Sequence, residues 1–332
     1  MKKTDISLPQ GVKDILPEDA ETIRAVEEII LSTFNRRGFR RIVPPPVEYL
    51  DVLSRGLGPD LRDRVFTFIE PSTGRVVALT PDITPQVARV VATRMRDIPL
   101  PLKLCYNRSV LRLKGSGGGS FKEILQIGAE YLTEEHSPDG DAEIITTAIE
   151  ILKTLGLREF TIDIGNPGFV RSLIERLPID KKVRKSIRDA VALKDVSALE
   201  SILSGMEGTL DEGTRELILL IPTLFGDKEV VKRALSLVPE GETRESLVNL
   251  ISVIEVLQEQ GYKKHITVDL GEVRGFDYYT GIIFEAFAHG AGKAILTGGR
   301  YDTLMAQYDY PCSAIGFAFD MEQLVTALEQ RN

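Results

Sequence analysis

Tryptophan is absent from the 332 residues, cysteine occurs twice and histidine three times. Cys105 and Cys312 stand far apart and lack the spacing of a zinc site, so neither a disulfide framework nor a zinc motif is present. His136, His265 and His289 are scattered, and no metal centre or cofactor is expected. No apolar run approaches the roughly 20 residues that span a bilayer. The opening Met1–Ser7 carries no apolar core of a signal peptide. A cytoplasmic chain without membrane contact is the expectation. A basic excess is missing as well: 41 Lys and Arg stand against 49 Asp and Glu, a formal charge of −8. Nucleic-acid binders usually carry a basic footprint, so nucleic acid is not expected as the principal partner. What remains is a soluble globular composition with 43% hydrophobic residues, long enough for one large domain or a core plus a smaller unit.

Taken in order, residues 5–16 read as an extended arm. Pro17, Glu18 and Asp19 then start a helix, with Ile23, Val26, Ile29, Ile30 and Phe34 at helical spacing. Arg36 and Arg37 close it and Gly38 stops it. The triplet Pro44–Pro46 excludes a helix or a central strand and suits a sheet edge, a subunit contact or a rigid turn. Val65–Ile69 and Arg75–Leu79 form a hairpin pattern. Thr84-Pro85 opens a second helix to about Arg96, with Thr84 as its cap. Leu102–Arg112 and Phe121–Leu132 read as strands. The glycine-rich run between them, Lys114–Ser120, lacks the P-loop lysine and fits a hairpin tip better than a phosphate cradle. A third helix covers Asp139–Leu155 and a strand follows at Phe160–Ile164. From about Pro167 to Glu259 the texture becomes helical with little strand signal. Strand pattern returns from His265 to Phe319, and a helix starts at Asp320. Strands and helices do not alternate regularly, which disfavours a doubly wound parallel sheet. The expected class is α+β: an antiparallel sheet flanked by helices, with a core over 1–166 and 260–332 split by a helical insertion over 167–259.

One stretch concentrates chemistry. Gly271–Gly281 places Arg274, Asp277, Tyr278 and Tyr279 between two apolar runs that read as neighbouring strands. Strand alternation would send Tyr278 and Tyr279 to opposite faces. A guanidinium is suited to gripping a carboxylate and aromatic rings can wall a planar ligand. The same residues also fit an internal Arg–Asp pair with half-buried tyrosines.

At Arg274–Gly281 the chain resembles the histidyl-tRNA synthetase catalytic core, a class II synthetase fold. Further stretches agree in order: Leu8–Pro17; Gly38–Glu48, similar to the motif that carries the dimer interface; Leu79–Thr84; Gln126–Glu130; Gly298–Asp302; and Gly316–Phe319. The resemblance implies a histidine-like pocket. Asp82 and Glu130 would hold the ligand's ammonium, Gln126 would add a polar contact, and Arg274 would face the carboxylate. Tyr279 and Tyr301 would contact or enclose the imidazole. Arg112 would come from the second class II motif.

The departures matter as much. The synthetases' second motif runs Arg-x-Glu into a basic loop; here it is Arg112-Leu-Lys114, with Ser120 at another usually basic position. Lys114 has donors only and cannot accept from adenine. Gln323 stands where an arginine normally meets the triphosphate, and Asp320 adds a negative charge where glycine is usual. Losing one such cation typically slows chemistry by about 10²–10³. A degraded ATP site at Lys114, Ser120 and Gln323 is therefore expected, with no catalytic residues. With the sequence ending at Asn332, no anticodon-binding domain is expected. This combination is similar to the regulatory subunit family of ATP phosphoribosyltransferase. The resemblance implies a short catalytic subunit as partner, a homodimer through Arg40–Pro46 within a larger hetero-oligomer, and histidine as ligand. Histidine would sit in this pocket or at a subunit interface. The competing readings are a truncated synthetase or other ATP-dependent histidine-activating enzyme, and an RNA-binding module.

Overall fold

The structure is a computed structural model that describes residues 7–113, 121–206, 208–238, 240–273 and 278–330. The chain opens with α1 (Pro17–Arg36), β1 (Arg40–Arg41), β2 (Val47–Tyr49), α2 (Leu50–Leu53) and α3 (Pro59–Arg62). Then come β3 (Thr67–Ile69), β4 (Val76–Leu79), α4 (Thr84–Arg94), β5 (Leu102–Leu113), β6 (Phe121–Thr133), α5 (Pro138–Thr154) and β7 (Phe160–Gly165). Residues 167–259 carry α6 (Pro167–Glu175), α7 (Lys181–Ala192), α8 (Val196–Ser204), α9 (Glu212–Leu220), β8 (Phe225–Gly226), α10 (Lys228–Leu237) and α11 (Glu242–Glu259). The described elements close with β9 (Ile266–Asp269), β10 (Ile283–Ala288), β11 (Leu296–Arg300), α12 (Asp302–Ala306), β12 (Ser313–Asp320) and α13 (Met321–Glu329).

Nine strands form one sheet in the order β1-β5-β6-β12-β11-β10-β7-β9-β8, and β2-β4-β3 form a small second sheet. Ladders in the large sheet are antiparallel except β1 with β5 and β7 with β9, which are parallel. The fold class is α+β. The strands either side of the Gly271–Gly281 stretch, β9 and β10, are not neighbours as expected from their sequence proximity: β7 lies between them. The short β8 extends the sheet beyond β9, so the 167–259 stretch is helical except at that one edge.

Alternation along the strands separates two cores. Ile127 and Ala129 of β6, with Ile315, Phe317 and Phe319 of β12, face a large cluster under α1, α5, α11 and α13. Leu104 and Tyr106 of β5 and Ala314 of β12 face the other side, with α4 and α12. Helix α1 starts on Pro17 with Glu18 and Asp19 in its first turn, and its stripe of Val26, Ile30 and Phe34 is buried. Helix α4 ends at Arg94, two residues short of the expected end. Its cap is Ile83 and no side chain caps it. Thr84 is therefore not the cap, because its hydroxyl is taken by Glu130 across the core. Among the described residues no helix is long and apolar enough to cross a membrane.

Candidate functional site: a buried carboxylate pocket

The second face of the sheet carries the site. Period-two alternation on β6 sends Gln126, Gly128 and Glu130 to that face. In the antiparallel register Gly316 of β12 lies opposite Glu130. That position demands glycine: a Cβ there would come 1.6 Å from Glu130 Oε2. Gly299 of β11 plays a similar part, since a Cβ would meet the Tyr279 ring at 2.8 Å.

Glu130 is 1% exposed and surrounded by hydroxyls. Tyr301 donates to Oε2 at 2.7 Å, Thr84 donates to Oε1 at 2.9 Å, and Tyr106 reaches Oε1 at 3.3 Å. Burial pushes its carboxyl up to about 8, partly offset by the Tyr301 and Thr84 hydroxyls. Asp82, between β4 and α4, is also buried and accepts the Tyr278 hydroxyl at 2.6 Å. Burial raises this carboxyl too, while Arg112 pulls it back: Arg112 Nη2 lies 3.9 Å from Asp82 Oδ1. Arg112 is anchored through Nε to the Pro81 carbonyl at 2.7 Å. The four phenols Tyr106, Tyr278, Tyr279 and Tyr301 are all raised well above the ordinary value, chiefly by burial, so they act as neutral donors.

Asp82, Gln126, Glu130, Tyr279 and Tyr301, separated by up to 219 positions in sequence, thus line one cavity. The space inside is only just wide enough for a single water. Gln126 is 7% exposed, and its Oε1 accepts no hydrogen bond among the described residues. Both Tyr278 and Tyr279 line this cavity, contrary to the expectation of opposite faces. Residues 278–281 form a turn ahead of β10, so strand alternation does not apply, and the two rings pack edge-on at 5.0 Å. Arg274 and Asp277 lie outside the described residues, as do Lys114 and Ser120.

Sequence reasoning missed four contributors. Thr84 and Tyr278 sit inside stretches already singled out, but their acceptors could not be read from spacing. Tyr106 carried no signal beyond alternation on β5, and Gly316 required the β6–β12 register.

A turn-fixing network lies behind the pocket. Arg300, 5% exposed, is paired with Asp141 of α5 and with Asp302, the latter at 2.9 Å. Its carbonyl accepts from Thr280 N at 2.7 Å, and Asp302 Oδ1 accepts from Ala314 N at 2.7 Å. Arg171 of α6 donates to the Tyr279 carbonyl at 3.0 Å.

Gln126, Thr297 and Ala318 also line a second, open chamber of about 460 Å³. Its charged lining among the described residues is Arg112 and Lys293 against Glu272, Glu285 and Asp320. Asp320 is the N-cap of α13, accepting from the Glu322 and Gln323 amides, with Lys122 Nζ at 3.8 Å. Gln323 lies half-buried in the first turn of α13 and does not line the chamber. Among the described residues no cluster of three or more His, Cys, Asp or Glu could hold a metal ion.

An antiparallel-dominated sheet carrying a buried acid-and-phenol pocket beside an open chamber defines a class II synthetase-like core. The histidyl-tRNA synthetase family model matches residues 11–324. A Nostoc histidyl-tRNA synthetase superposes with a TM-score of 0.80 over 99% of this chain and 76% of its own; at 22% identity it speaks for the fold alone. A Bacillus halodurans structure described as an ATP phosphoribosyltransferase regulatory subunit/histidyl-tRNA synthetase superposes at 0.88. It is 27% identical and covers 98% of this chain and 84% of that one. The ATP phosphoribosyltransferase regulatory subunit of Geobacter sulfurreducens is 44% identical over 324 residues, 98% of this chain and 73% of the relative. The chain belongs to the ATP phosphoribosyltransferase regulatory subunit family, on the histidyl-tRNA synthetase fold.

Proposed function

We propose that this chain is the regulatory subunit of an ATP phosphoribosyltransferase. In this reading it activates a short catalytic subunit and mediates histidine feedback on the first step of histidine biosynthesis, without catalysing a reaction itself. One observation carries the reading beyond the family. The pocket keeps its buried carboxylates, whereas the adjoining chamber presents, among the described residues, three acids against two cations. A polyphosphate needs the opposite balance.

The ligand of the closed pocket is histidine. Asp82 and Glu130 supply the negative charge for its ammonium, Gln126 Oε1 takes a donor, and Tyr279 and Tyr301 enclose the imidazole. The resemblance assigns the ligand's carboxylate to Arg274. Feedback then requires histidine affinity to differ between the active and inhibited assemblies, a coupling of about 1–3 kcal/mol. The chain works as a cytoplasmic homodimer within a hetero-oligomer. The dimer contact runs through Arg40–Pro46, where β1 is the last strand on its side of the sheet and Val43 is 59% exposed.

Phosphoribosyl transfer by the short catalytic subunit, with and without this chain, tests the proposal. Stimulation that added histidine reverses is expected. No stimulation, together with histidine-dependent exchange of pyrophosphate into ATP, would replace it with a histidine-activating enzyme.

A further inference from the structure

Asp82 is buried, and its Oδ2 already accepts the Tyr278 hydroxyl at 2.6 Å. Arg112 Nη2 stands 3.9 Å from Oδ1, beyond hydrogen-bond reach, and Arg112 is held through Nε by the Pro81 carbonyl at 2.7 Å. An ammonium that is to pair with Oδ2 therefore meets the phenol first. That hydroxyl is the tip of a rotatable side chain. The cavity beside it has room for one water, far less than an amino acid needs.

We propose that Tyr278 is an internal competitor, whose hydroxyl holds Asp82 in the ligand-free pocket and is displaced by the ammonium of the incoming amino acid. This rests on the histidine-pocket reading and adds an affinity-setting residue to it. Tyr279 is not the moving part. Its carbonyl is tied to Arg171 at 3.0 Å, and the next residue, Thr280, is tied through its amide to the Arg300 carbonyl at 2.7 Å. The backbone at 279–280 is therefore held, and the Tyr278 side chain, whose ring packs edge-on 5.0 Å from Tyr279 and 6.2 Å from Tyr301, is the part that must turn. A contact residue and a competitor make opposite predictions. Removing a contact weakens binding; removing a competitor strengthens it, because the ligand no longer breaks an internal bond.

The test is titration calorimetry of histidine into the full chain and its Tyr278→Phe variant, which keeps the ring and its packing. The variant is expected to bind histidine about tenfold more tightly, the worth of one hydrogen bond to a charged acceptor. Thermal melting supplies the second readout. The variant is expected to melt below the parent without histidine and to regain most of that loss at saturating histidine. Equal or weaker binding by the variant, when the parent binds, overturns the competitor role and leaves the histidine pocket standing. Binding by neither protein up to millimolar histidine overturns both.

Discussion

Replacing Glu130 with glutamine isolates the cost of burying a carboxylate in this pocket. An ordinary glutamic acid loses its proton near 4.5, whereas Glu130 holds its proton to about 8 in the folded chain. Between those values the folded state binds a proton that the unfolded state has released. Stability contributed by the neutral acid is therefore complete below about 4.5, falls as pH rises, and is fully lost above about 8. At roughly 1.4 kcal/mol per pH unit the gap amounts to on the order of 5 kcal/mol. For 332 residues the unfolding entropy is about 0.7 kcal/mol per kelvin, so this corresponds to roughly 7 °C in Tm. Glutamine does not titrate and still offers a carbonyl to Tyr301 or Thr84. Between pH 5 and 8, which covers about 3.5 kcal/mol of that total, the Glu130→Gln chain should thus lose about 5 °C less than the parent in ligand-free melts. Asp82, also raised by burial, remains in both chains and sets a common background. Parallel melting curves across that range would refute the burial argument.

Gly316→Ala drives a methyl into Glu130 Oε2 and within 2.7 Å of the Ala129 carbonyl. It should cost about 1–3 kcal/mol in denaturant unfolding and abolish histidine binding by calorimetry. Asp141→Asn leaves Arg300 buried beside a neutral amide; a loss of roughly 3 kcal/mol is expected in the same unfolding assay. Arg171→Met frees the Tyr279 carbonyl and should weaken histidine binding about fivefold with little change in Tm, the worth of one hydrogen bond. Val43→Asp should convert a dimer into a monomer by light scattering, and a monomeric parent would refute the β1 interface.

Much of the site was legible because it lies on strands. Gln126 and Glu130 stand four residues apart on one run, and alternation alone puts them on one face. The helix from Pro17 was legible for a similar reason, since its caps and stripe are local. What failed involved backbone that is neither strand nor helix. Tyr278 and Tyr279 enter the same cavity because the turn at 278–281 breaks the period of two. Thr84 has the chemistry of a cap, but the helix is capped one residue earlier, at Ile83, and the Thr84 hydroxyl goes to a buried carboxylate 46 residues away. Sheet order was illegible too, since β7 inserts between β9 and β10 only once the helices of 167–259 have been crossed.

The two chambers on this face treat charge differently. Among the described residues the open chamber carries three acids against two cations, and these remain in reach of water. The closed pocket cannot rely on water. Its carboxylates stay buried without a ligand only because Tyr278, Tyr301, Thr84 and Tyr106 satisfy them from within. That arrangement suits a sensor better than an enzyme. A ligand must exchange its own donors for internal ones, and each such exchange is worth about 0.5–3 kcal/mol either way. The net affinity is then a small difference between similar terms. A coupling of 1–3 kcal/mol from a docked subunit is large enough to tip it. A pocket that bound its ligand through unsatisfied charges would hold too tightly for the same coupling to release it.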